Sequence, residues 1–153
     1  MIVVSDTSAI TALLQVGRVE LLQKLYGEVL IPEAVRDELI QTHPSLPLFL
    51  RCEHVQNRAE VERFFAELDL GEAEAIALAK ERKADALLMD EAEGRRVALR
   101  EGVAFIGLLG VLVQAKQMGH VASVRGLTAE LEKVADFRLS AVVKKIAFEK
   151  AGE

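Results

Sequence analysis

Short apolar runs alternate with helical periodicity along the whole chain. Residues 2–5 predict a buried strand, and from Thr7 onward Ile10, Leu13 and Leu14 recur at helical spacing. A second helix is expected over 19–26, closed by Gly27. Residues 28–31 predict a short strand. Pro32 falls where the first turn of a helix tolerates proline, and that helix is expected to reach Thr42. Residues 43–50 hold two of the three prolines and read as a loop or irregular helix. A strand over 51–56 and a helix over 59–68 follow. Leu70-Gly71 then reads as a break before an Ala-rich helix over 72–82. Residues 86–89 predict a strand, 91–100 a helix and 103–106 a strand. The spans 108–116, 124–134 and 140–150 are helical.

Strands separated by helices imply βαβ units, hence a parallel sheet covered on both faces. The expected fold class is therefore α/β, a three-layer α/β/α sandwich with a central parallel sheet. No linker, repeat or low-complexity tract divides residues 1–153, so a single domain is expected.

Charge adds one constraint. Lys plus Arg number 19 and Asp plus Glu 24, a net charge of −5, which argues against coating nucleic acid by bulk charge. It leaves open an enzyme acting on nucleic acid at a local site. The N-terminus has no basic region or cleavage signal, no apolar run is long enough to span a membrane, and Cys52 is the lone cysteine; a cytoplasmic location is expected.

The candidate chemistry lies in carboxylates. Ligands bind open parallel sheets beyond the carboxyl ends of the strands. Asp6 follows the first predicted strand directly, and Asp90 follows residues 86–89. Either acid could instead be a helix cap. Glu38, three residues after Val35 and next to Leu39, flanks the buried stripe of its helix; the bland alternative is a solvated surface charge. Glu72 sits in a first turn, four residues before Ile76, where an acid also favours the helix dipole. Taken together, four carboxylates in close array repel one another unless a cation sits among them. Oxygen donors without His or Cys select Mg²⁺ or Mn²⁺, and such a site suits phosphoryl transfer.

The chain resembles the PIN-domain nucleases, most closely the small prokaryotic group related to VapC-type toxins. The resemblance is carried by Val3-Val4-Ser5-Asp6-Thr7-Ser8, Ile31-Pro32-Glu33-Ala34-Val35-Arg36-Asp37-Glu38-Leu39, Leu70-Gly71-Glu72-Ala73-Glu74-Ala75-Ile76-Ala77-Leu78-Ala79, Leu87-Leu88-Met89-Asp90-Glu91 and Gly107-Leu108-Leu109-Gly110-Val111-Leu112. It implies that Asp6, Glu38, Glu72 and Asp90 form the metal-binding acidic quartet of an endoribonuclease, with Ser8 as the supporting small residue. The third acid is usually Asp in the family, and here it is Glu72. The 18-residue step from Glu72 to Asp90 fits the family better than the 16 from Glu74. Glu91 and Glu93 are further candidates. The resemblance also implies an RNA substrate, a homodimer and, for a toxin, an antitoxin partner.

Arg95 and Arg96 are candidate phosphate contacts, with a solvated helix face as the alternative; Lys144-Lys145 is a weaker one. His43, His54 and His120 have no zinc-ligand spacing, and no Gly-x-Ser-x-Gly elbow or P-loop is present. Cys52 reads as a small hydrophobe, and Leu127 and Leu131 as core or partner contacts. Two rival functions remain: a haloacid-dehalogenase-type phosphohydrolase, disfavoured because Ser8 stands where a second Asp is needed, and a non-catalytic interaction module.

Overall fold

The computed structural model describes residues 1–153. Five parallel strands form one sheet: β1 (Val3–Ser5), β2 (Val29–Pro32), β3 (Leu50–Glu53), β4 (Ala86–Leu88) and β5 (Phe105–Ile106), in the order β3-β2-β1-β4-β5. The helices are α1 (Thr7–Gln15), α2 (Glu20–Tyr26), α3 (Glu33–Thr42), α4 (Arg58–Phe65), α5 (Leu70–Glu81), α6 (Ala92–Arg100), α7 (Leu108–Gln117), α8 (Val124–Val134) and α9 (Ala141–Lys150).

Side chains alternate across each strand, and this splits the core in two. Val3, Ile31 and Leu88 pack on one face with α1, α2, α7 and α8. Their neighbours Val4, Leu30 and Leu87 pack on the other with α4, α5 and α6. The three-layer α/β/α sandwich is thus present. Leu127 and Leu131 both belong to the core. No helix is long and apolar enough to cross a membrane.

Four boundaries differ from expectation. Pro32 is the last residue of β2, aligned with Glu53 of β3, and it caps α3 rather than entering its first turn. Proline lacks an N–H to carry the ladder further, and its fixed φ, −75° here, suits the entry to a helix. Leu70-Gly71 is no break, because α5 begins at Leu70 and the chain turns before it, at 66–69. The strand expected over 103–106 is only β5, and that expected over 51–56 ends at Glu53.

Candidate active site

The strand order makes β1 and β4 central neighbours, registered Val3 to Ala86 and Ser5 to Leu88. The chain leaves β1 through α1 onto one face, where Ile10 and Leu13 are buried. It leaves β4 through α6 onto the other, where Val97 and Ala98 are buried. The two helix N-termini therefore diverge and open a crevice at the strand ends, where doubly wound sheets bind ligands.

Asp6 and Asp90 enter that crevice. Asp6 stays extended, its N–H donating to the Leu88 carbonyl at 3.2 Å, and its side chain makes no capping bond to α1. The capping alternative fails for this residue. The Asp90 carboxylate instead accepts from the Leu108 N–H, at 3.1 and 3.2 Å to its two oxygens, at the start of α7. Gly107 makes that approach feasible: a Cβ there would lie 2.8 Å from Asp90 Oδ1 and against the Arg95 guanidinium.

A cavity of about 540 Å³ occupies the crevice, with Asp6, Glu38 and Glu72 in its lining beside Glu67, Asp69, Glu91 and Glu93. No basic side chain lines it. Glu38 comes from α3 and reaches across the first turn of α5. Gly71 leaves room for it, since a Cβ there would sit 2.5 Å from Glu38 Oε1. The supposed helix breaker is thus a close-approach glycine.

Asp6 is only 2% exposed, yet its Oδ1 has no hydrogen-bond partner; the hydroxyls of Thr7 and Ser8 beside it are also buried and unpartnered. Burial lifts the Asp6 carboxyl well above the usual carboxylate range, and Asp90, Glu72 and Glu91 add repulsion; the nearby Ala9 N–H opposes this without reaching capping geometry. Burial, then Asp69, pushes Glu72 up to about 7. Burial also raises Asp90, against the Leu108 N–H and Arg95, and raises Glu38. Buried polar atoms without partners are rare and call for an ion or another donor. The donor set, all carboxylate and hydroxyl oxygen, fits a hard divalent cation. No three acidic side chains close on one point as a finished ligand cluster. Glu72 spends one oxygen on a capping box, accepting from the Asp69 N–H at 3.3 Å while Asp69 Oδ1 accepts from the Glu72 N–H at 2.8 Å. The motif Asp-x-x-Glu before an Ala-rich run was the sequence signal for Asp69, which sequence reasoning missed.

Glu74 points elsewhere. It is 4% exposed and accepts from the Ala34 N–H at 2.9 Å and from Arg58 Nη2 at 2.8 Å, tying the starts of α3 and α4 to α5. Glu74→Ala leaves the buried Ala34 N–H unsatisfied and is expected to cost about 1–3 kcal/mol. A lower urea midpoint at unchanged m-value, with any cleavage activity kept under native conditions, checks this structural role.

Ser8 is in place beside Asp6, and Glu91 faces the crevice with no side-chain capping bond to α6. The candidate phosphate contacts have partners inside the chain. Arg95 Nε donates to the Met89 carbonyl at 2.8 Å, its Nη2 lies 3.5 Å from Asp90 Oδ1, and its guanidinium covers the Phe105 ring. Arg96 pairs with Glu93 and Glu67, and Lys144 with Glu132. Cys52 is half-buried against the core.

No curated protein and no solved structure matches the chain. A family model described as a PIN domain matches residues 2–153, which sets aside the haloacid-dehalogenase alternative. The carboxylates at adjacent strand ends and the family match point the same way, to a nuclease fold: the chain belongs to the PIN-domain family.

Proposed function

We propose that the chain is a metal-dependent endoribonuclease that hydrolyses RNA phosphodiester bonds, with Asp6, Glu38, Glu72 and Asp90 holding one or two Mg²⁺ or Mn²⁺ ions. The observation that carries this reading is the buried, unpartnered Asp6 Oδ1 in a cavity whose every charged lining residue is acidic. When bound, the cation supplies Lewis acidity, lowering the pKa of an attacking water and offsetting charge on the transferring phosphoryl group.

The chain's own residues set the geometry. The strand ends fix Asp6 and Asp90, and the Leu108 N–H and Arg95 aim the Asp90 carboxylate. Glu38 and Glu72 reach in on longer arms, Glu72 by releasing the Asp69 N–H. The Ser8 hydroxyl can donate to Asp6 or to a phosphate oxygen. No side chain is needed as nucleophile.

By the same reading the protein acts in the cytoplasm, pairs with a second copy and serves as the toxin of a toxin-antitoxin pair. Val142, Val143 and Ile146 on α9 are exposed and offer an apolar face for such contacts. An inert interaction module has no use for four acids in one crevice. Cleavage of RNA and DNA oligonucleotides with Mg²⁺ or Mn²⁺, then with EDTA, tests the proposal. RNA cleavage that EDTA abolishes is the expected result; no cleavage, together with no metal binding by calorimetry, leaves the module.

A further inference from the structure

A second cavity, of about 580 Å³, adjoins the acidic one and shares Ser8 and Glu91 with it; Asp90 lies in its wall. Cavities of roughly 300–1,000 Å³ hold ligands of drug or nucleoside size. One side is a stripe of α1. Ser8, Thr11 and Gln15 are three and four residues apart and so share a helix face, with the small side chain of Ala12 keeping that face low. The opposite side is the segment 135–139 joining α8 to α9. Asp136 takes a positive φ of 50° there, and the next N–H, that of Phe137, donates to the Leu131 carbonyl at 3.1 Å. Phe137 is half-buried against the core and also lines the cavity.

Arg138 is the only cation lining either cavity. Its acidic neighbour, Asp136, lies 3.4 Å away, and the two side chains are 89% and 80% exposed. An ion pair that exposed is weak and readily exchanged for another anion. Arginines outside the lining pair with Glu67 and Glu93, but a phosphodiester strand approaching the other five acids needs a cation of its own, and Arg138 lines the adjoining cavity.

We propose that this second cavity is a nucleoside subsite for the strand unit next to the scissile phosphate. Phe137 stacks on the base, Thr11 and Gln15 hydrogen-bond to its edge or to the ribose, and Arg138 holds the flanking phosphate. The proposal rests on the nuclease reading of the acidic cavity. Stacking on one aromatic side chain is tolerant of base identity, so selectivity falls to Gln15 and Thr11.

The test has two arms. In the first, adenosine, guanosine, cytidine and uridine are titrated separately into the wild-type chain with EDTA present, followed by amide NMR. Saturable shifts at Thr11, Gln15 and Phe137 are expected, lost in Phe137→Leu and kept in Phe137→Tyr. In the second, Phe137→Leu raises KM for an RNA oligonucleotide roughly five- to hundredfold with little change in kcat. Gln15→Ala, at an exposed position, changes the preferred neighbouring base. Nucleoside shifts at these residues without RNA cleavage show that the cavity binds nucleosides but overturn its place beside a scissile phosphate, together with the nuclease reading. Cleavage with KM unmoved in both variants, and no such shifts, overturns the subsite and leaves the nuclease reading intact.

Discussion

Asp6→Asn is expected to lower RNA cleavage by roughly a thousandfold, the rate equivalent of about 4 kcal/mol of lost transition-state stabilisation. The amide keeps the shape but withdraws the one carboxylate that is buried without a partner. The fold should survive and gain. Ionised Asp6 stands against burial and against repulsion from Asp90, Glu72 and Glu91, and the variant removes that penalty. A thermal midpoint in EDTA at pH 8 equal to or above that of the wild type, alongside the lost activity, confirms both halves. Metal-dependent cleavage retained by Asp6→Asn would sink the site assignment.

The second large effect is stabilisation by the metal itself. At a hundredfold excess over Kd, a cation that binds only the folded chain adds about 2.7 kcal/mol, or roughly 5–10 °C of thermal midpoint for a chain of this length. The shift should shrink as pH falls, because binding needs ionised carboxylates and Glu72 titrates near 7. Without metal the sign reverses. Asp6, Glu38, Glu72 and Asp90 all have raised folded pKa values, so their protonated forms favour the fold fully below the unfolded pKa values. That contribution fades as pH rises through the folded ones, which for Glu72 is about 7. Glu67 and Glu153, lowered to about 2 by their cationic partners, matter only at more acid pH. Thermal midpoints from pH 5 to 8, with EDTA and with Mn²⁺, should therefore diverge. Parallel curves would mean that no cation enters this cavity.

The sheet was legible because its strands are short, apolar and separated by helical periods. Asp6 and Asp90 were legible because a strand end is a place that pattern alone can mark. Glu38 and Glu72 required the helix faces, which periodicity also supplies. What the sequence hid was partnership. Nothing in the spacing shows that Glu74 ties α3 and α4 to α5, or that Arg95 turns back to Met89 and Asp90. Such bonds depend on elements far apart in the chain. Gly71 misled for a related reason: glycine after a polar turn usually stops a helix, whereas here it clears space for a glutamate from another helix. The segment 135–139 has no period at all, so its place over α1 could not be foreseen.

The pairing of β1 with β4 brings residue 3 beside residue 86. Contacts that distant in sequence form late, because the intervening loop must close before they repay its entropy. During synthesis Asp6, Glu38 and Glu72 all leave the ribosome before the strand that seats the fourth acid. A growing chain thus carries three of the four acids before the fourth has its seat. Insertion of β4 beside β1 then seats Asp90, the fourth acid. On the proposed endoribonuclease reading, the site is complete only once the second half of the sheet has joined the first.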